Sequence, residues 1–330
     1  MSREIKLMQK ARCERVQEPD FLEKFLEPHI NAGTTGAGWE TEVIQLDGSG
    51  AATVRVTLDG GHPVFAKVFA FDDGPATHRK LTEFRAAGFG TGSRYQSVEP
   101  LAWYDEYDLL ICTGAHGSDV ESLFDVDRDA WRKGVSESGA WLGLFHSSGL
   151  SIGEPKPFLV TSELISLAKR MGKAMAEHPL HLELSLSLLK ALDAFTHETV
   201  DGFRVQSHGQ YRAKHVFVSD NGVTVIDLDR SSPADPSRDV AEYIQRLRND
   251  TFELCGSVEP ANAATHDFLE AYTAATGSDR YLTNFRFHYA RHLVHRVNRV
   301  IKKGILATDE DTNSQFLLSE LENLRAGNLV

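Results

Sequence analysis

The spacing of apolar residues changes period several times along the chain. In residues 1–30, Phe21, Leu22, Phe25 and Leu26 recur at i, i+1, i+4 and i+5 among charged residues, which predicts helix. The run Asn31-Ala-Gly-Thr-Thr-Gly-Ala-Gly38 breaks that pattern with three glycines. From 40 to 71 the period falls to two. TEVIQL, AATVRVTL and HPVFAKVFA then predict three strands, punctuated by Asp47-Gly-Ser-Gly50 and Asp59-Gly-Gly61, both good hairpin turns. A helix is expected at about 76–88, stopped by Gly88, and VEPLAWYD and DLLICTG predict two more strands.

After Gly117 helical spacing dominates. Residues 129–149 form a strong amphipathic pattern ending at a glycine, and 162–177 and 181–199 look like two further helices. Between them and the C-terminal helices lies a β insert, HGQYRAKHVFVSDNGVTVIDLDR, with Asp220-Asn-Gly222 at its turn. Helices return from Pro236, the longest expected at about 279–302. The expected fold is therefore α+β and two-lobed. Residues 1–115 would be an N-terminal lobe with an antiparallel sheet, and 116–330 a mostly helical lobe carrying the hairpin.

Composition narrows the function. With 35 basic against 47 acidic residues the net charge is −12, which argues against nucleic-acid or anionic-membrane partners held by bulk electrostatics. Three scattered cysteines offer neither a zinc spacing nor a disulfide framework, and MSREIKLMQKARCERV lacks a signal-peptide core. A cytoplasmic location is the expectation, with a small-molecule acceptor as partner.

The insert carries most of the chemistry. If Val225-Ile-Asp-Leu-Asp229 is one strand, Asp227 and Asp229 share a face and suit a hard cation such as magnesium. Together, His208-Gly-Gln-Tyr-Arg-Ala-Lys-His215, Val225-Ile-Asp-Leu-Asp229 and Ala234-Asp-Pro-Ser-Arg-Asp-Val-Ala241 resemble an ordered family pattern. It is that of the aminoglycoside phosphotransferase and choline-kinase branch of the protein-kinase-like fold, H-G-D-x-x-x-x-N, I-D-x-x and G-D-P-x-x-D-L-A. Val64-Phe-Ala-Lys67-Val-Phe69 is similar to the phosphate-lysine strand, Leu109–Gly117 to the hinge, and Ala140–His146 to the helix before the catalytic loop. The resemblance covers about residues 40–300.

It implies ATP with Mg2+, and roles position by position. Asp227 would bind metal and the β/γ phosphates, with Asp229 as a second ligand, and Lys67 would hold the α and β phosphates. Asp239 and His208 would brace the catalytic loop, and Arg212 would take the place of a phosphate-contacting lysine. Backbone from Thr113 to Ala115 would meet the adenine edge, while Gly48 and Gly50 would cap the phosphates. Two positions depart from the pattern. Gln210 stands where the family has its aspartate base, and His215 where it has a metal-binding asparagine. Glutamine orients a hydroxyl but takes no proton, and histidine as a ligand favours Mn2+ over Mg2+. The lysine's partner is open, since Glu83 is the only glutamate in the candidate helix.

Other readings stand beside these. Lys67 would also fit a solvent-facing edge lysine, and Asp227 and Asp229 a strand end with turn chemistry, but the ordered context favours the phosphate and metal roles. His288, His292 and His295 share a helix face with no carboxylate in the run; a half-buried polar face by the acceptor is favoured over a metal site. The arginines at 286–299 would hold an anionic acceptor or solvate the helix. Trp131 and Trp141 fit core packing, and nothing beside Cys112 in sequence would make it a nucleophile. The functional expectation is an ATP-dependent small-molecule kinase with Gln210, Arg212 and Asp227 as its catalytic set. A pseudokinase that regulates a protein partner and a nucleotidyl transferase remain as alternatives.

Overall fold

Alternating burial along three consecutive strands organises the first part of the chain. The computed structural model describes residues 3–29, 38–45, 51–58, 61–71, 73–177, 182–302 and 312–329. They divide into two compact units, residues 1–118 with 216–229, and residues 119–215 with 230–330. In the first unit, β1 (Trp39–Gln45), β2 (Ala51–Leu58), β3 (Val64–Phe69), β5 (Pro100–Tyr104) and β6 (Leu109–Thr113) form an antiparallel sheet in the order β1-β2-β3-β6-β5. Ala52, Val54, Val56, Val64, Ala66 and Val68 are buried with Cys13, Val16, Phe21, Leu22, Phe25 and Leu26 of the N-terminal helical segment. The side chains that the helical spacing picked out thus cover one sheet face. Because side chains alternate along a strand, Lys67 falls on the other face, in register with Thr53 and Leu110.

Tyr95–Ser97 forms a short strand, β4, that three residues are too few to announce in sequence. It pairs in parallel with Gly222–Val225, Val223 opposite Tyr95 and Val225 opposite Ser97. That pairing draws the hairpin of Val216–Ser219 and Gly222–Val225 into the first unit, although helices flank it in sequence. Asp220-Asn-Gly222 turns the hairpin as anticipated. The strand stops at Val225, however, and does not run through Asp229. Asp227 is left-handed at φ 63°, and Leu228–Arg230 is a 3-10 turn, so strand alternation is not what orients the two carboxylates.

In the second unit the Arg128–Ser147 helix starts at Asp127, whose carboxylate accepts from the amides of Asp129 (3.0 Å) and Ala130 (2.9 Å). It packs tightly against the Glu259–Thr276 helix, and Trp131 and Trp141 are buried as expected. A Cβ added at Gly139 would lie 2.2 Å from the Phe268 carbonyl oxygen, so glycine here lets two backbones approach. The Phe285–Lys302 helix runs beside the Ser237–Cys255 helix; the expected 279–302 helix is broken, with a separate 3-10 turn at Asp279–Leu282. Buried Arg248 holds Glu320 of the Thr312–Ala326 helix through two 2.7 Å hydrogen bonds. Among the described residues no helix is long and apolar enough to cross a membrane.

The helix contact yields a test in which propensity and packing oppose each other. Alanine is worth about 1 kcal/mol more than glycine in a helix, while overpacking typically costs about 1–3 kcal/mol. Gly139→Ala should therefore lower the urea midpoint. Gly172→Ala, with no atom near its added Cβ in the Val160–Glu177 helix, should raise it. A stabilised Gly139→Ala protein would contradict the close approach.

Candidate active site

The chemistry-bearing side chains form two groups, one in each unit. In the first, β3 presents Lys67 and the backbone beyond the hairpin presents Asp227 and Asp229. The Lys67 Nζ lies 3.2 Å from Asp227 Oδ1 and makes a close ion pair with Asp229. Burial by itself would lower the ammonium pKa, but Asp229 and Asp227 outweigh it and hold the group above its ordinary value. These two carboxylates are the partners of Lys67 that sequence reasoning lacked; Glu83 lies near Arg79 on the surface at 3.9 Å. The left-handed backbone at Asp227 costs about 1–2 kcal/mol for most residues and less for Asp or Asn, which hydrogen-bond locally. It turns Asp227 toward the lysine from a position no strand would supply.

Lys80, on the Asp73–Phe84 helix, donates to the Asp229 backbone carbonyl at 2.9 Å. Nothing in the sequence pattern singled it out, because its partner is 149 residues away in the chain. In the hinge, the Thr113 amide donates to Glu99 O (2.9 Å), and the Thr113 hydroxyl accepts from the Glu99 amide (3.0 Å). The Gly114 amide donates to Pro63 O at 2.9 Å, which leaves Ala115 as the next residue along this segment. Cys112 is buried, and its thiol is pushed up to about 12, consistent with an inert residue. Gly48 and Gly50 lie outside the described residues.

The second group is built around Asp239, in the first turn of the Ser237–Cys255 helix and fully buried. Its carboxylate accepts from the amides of His208 (2.6 Å) and Gly209 (2.9 Å), and His146 Nε2 lies 3.4 Å away. Burial alone would raise the carboxyl pKa, but His146 brings it below the usual carboxylate range. The loop is further held by Gly209, at φ 86°, where an added Cβ would lie 2.7 Å from Arg230 O. His208 Nδ1 accepts from the Gln210 amide (3.3 Å), and the two rings of His208 and His215 stack 5.8 Å apart. His215 Nδ1 meets Gln210 O at 3.0 Å, so in the neutral ring Nδ1 donates and Nε2 keeps its lone pair. Arg212 does not stand as an open cation for phosphate. Its Nε and Nη2 both donate to Glu242 Oε1, at 3.1 and 3.0 Å.

The three helix histidines are more buried than half. His288 and His292 are under a tenth exposed, and His288 Nε2 lies 3.3 Å from Asp235. Of the nearby arginines, Arg291 pairs with Glu163, Arg286 with Glu198 and Arg296 with Glu253.

No protein-family model and no curated protein matches the chain. Its fold is nevertheless the two-lobed, protein-kinase-like fold of solved structures of aminoglycoside phosphotransferases, a macrolide 2'-phosphotransferase and an amicoumacin kinase. A thermostable mutant of aminoglycoside phosphotransferase APH(4)-Ia matches with a TM-score of 0.58 at 15% identity, over 93% of this chain and 97% of that one. Amicoumacin kinase hAmiN, in complex with AMP-PNP, Ca2+ and Ami, gives 0.59 at 12% identity over 100% and 97%. Macrolide 2'-phosphotransferase type I gives 0.52 at 15% identity over 88% and 92%.

The buried histidines set a pH dependence. Burial lowers the pKa of His288 and His292, and brings His295 to about 4. The folded chain therefore resists protons that an unfolded chain takes up near pH 6.5, so stability falls as pH drops below that value. Urea midpoints should decline from pH 7 to 5, and His295→Gln should shrink the decline. An equal decline in that variant would exclude His295 as a contributor.

Proposed function

We propose that the protein is an ATP-dependent phosphotransferase acting on a small molecule. The observation that carries this reading is the Lys67–Asp227–Asp229 cluster: a strand cation held by two carboxylates from one turn about 160 residues further along the chain. The side chains of Asp227 and Asp229 are 37% and 23% exposed, so their hard oxygen donors are reachable and suit Mg2+. A divalent ion there would neutralise phosphate charge. Lys67, now the internal counter-ion of the pair, would then turn to the α and β phosphates. Solved structures of the same fold in complex with ADP and hygromycin B, and with AMP-PNP, Ca2+ and Ami, support a reading with nucleotide, cation and small-molecule acceptor together.

In the second unit the Asp239-braced loop supports the acceptor role. Gln210 would orient the acceptor hydroxyl. Arg212, tied to Glu242, acts here as a support of the loop. His215 stands where the family pattern has asparagine, and an imidazole nitrogen suits a borderline metal, which favours Mn2+ relative to a family member with asparagine. Phosphoryl transfer passes through a loose transition state, so positioning and electrostatics supply most of the acceleration. Loss of a general base forfeits about 10² to 10⁴ in rate, which leaves a slow kinase. The pseudokinase reading draws on the same replacement of the aspartate by Gln210, and transfer of a nucleotidyl group would require a reversed nucleotide.

Two experiments test this function. ATP with Mg2+ or Mn2+ at one hundred times its dissociation constant should add about 2.7 kcal/mol to stability, seen as a rise in Tm. Asp227→Asn, which tolerates the left-handed backbone, should abolish that rise while leaving the unliganded Tm nearly unchanged. No rise with either metal in folded wild type would reject nucleotide binding. In an acceptor screen, Gln210→Asp should accelerate phosphate transfer by about tenfold or more over a measurable wild-type rate. Nucleotide binding with turnover only in Gln210→Asp would make the native chain a binding module, and label from the α phosphate on the product would identify nucleotidyl transfer.

A further inference from the structure

A small cavity of about 60 Å3 lies wholly within the second unit, where the 156–159 segment meets the starts of the Ser237–Cys255 and Phe285–Lys302 helices. Its polar lining includes Arg238, Arg291, His288, Glu163 and Asp235, with Phe158 as an apolar wall. The anions here are already engaged. Glu163 is paired with Arg291, while Asp235 accepts from the Asn284 amide (2.5 Å) and the Ser237 backbone amide (2.9 Å).

Two groups are left over. Among the described residues no side-chain hydrogen bond or ion pair is found for Arg238, and its Nε is buried without a partner. His288 is 3% exposed and packs against Phe158 at 4.8 Å; its Nε2 faces Asp235 at 3.3 Å, and its Nδ1 is buried without a partner. A guanidinium in the first helical turn also opposes the helix macrodipole, so Arg238 is poorly explained by the stability of its own helix. An unpaired, partly buried cation beside a second guanidinium is an unfavourable arrangement that an anion would relieve.

The cavity adjoins the catalytic-loop frame of the same unit. Ser232–Ala234 pairs antiparallel with Val205–Ser207, which leads directly into His208-Gly209-Gln210. Asp239, which holds that loop, is the next residue after Arg238.

We propose that this cavity seats an anionic group of the acceptor, a carboxylate or a phosphate, held by Arg238 and Arg291. The assignment of the anion to an acceptor rests on the kinase reading above; the anion site itself does not. A chain of net charge −12 repels small anions in bulk, so preference for one would report a local site.

The test titrates the full chain, without nucleotide, with glycerol, glycerate and glycerol 3-phosphate, followed by backbone amide NMR shifts. At least one anion should bind about tenfold or more tightly than glycerol, and which one does so separates carboxylate from phosphate. Arg238→Gln should remove that preference, and Arg238→Lys should weaken it, because lysine keeps the charge but loses the planar fork. No preference in wild type, or an unchanged preference in both folded variants, would overturn the site; if Arg238→Gln does not fold, Arg238→Lys alone decides. ATP binding, measured in parallel, separates the two readings. ATP bound without anion preference defeats this inference alone, and anion preference without ATP binding defeats the kinase reading alone.

Discussion

An ammonium mostly withdrawn from water must be paired, and the first unit meets that requirement at Lys67, whose side chain is 19% exposed. Lys67 sits on a central strand of the sheet, where desolvation of an unpaired cation would cost several kcal/mol. Its two carboxylates come from the far end of a hairpin 160 residues away in sequence. For them to reach it, the hairpin must join the first unit, which β4 accomplishes by parallel pairing, and Asp227 must take the left-handed conformation. Both carboxylates then share one cation, which ties the strand of Lys67 to the turn after the hairpin.

The second unit depends on a comparable constraint of opposite sign. Asp239 is a fully buried carboxylate, tolerable because backbone amides of His208 and Gly209 and the ring of His146 surround it. His146 is in turn oriented by the Tyr272 hydroxyl at 2.7 Å, and Tyr211 donates to the Ser138 carbonyl at 2.8 Å. Such networks confer a unique arrangement more than net stability, since a half-satisfied member would be costly. Their consequence is a loop whose backbone is held firmly even though Gln210 replaces the carboxylate expected of a base.

The ordered strands, the helices and the resemblance in three successive motifs were readable because each rests on local periodicity or contiguous residues. The edge-strand reading of Lys67 fails, because its strand lies between two others, an order that spacing along the chain does not carry. The apparent strand to Asp229 was misleading, because alternation cannot reveal a single residue at φ 63°. Arg212 looked like a free phosphate ligand since its partner, Glu242, lies a helix turn beyond Asp239 and faces it only after folding.

By itself, then, the sequence determined the element order and the identities of the loop residues, properties carried by neighbours within a few positions. Only the tertiary structure decided which charges neutralise one another. Lys67 with Asp227 and Asp229, Arg212 with Glu242 and Arg291 with Glu163 are pairings across 160, 30 and 128 residues. Ion pairing depends on distance in space and on burial, and neither is encoded in spacing along the chain.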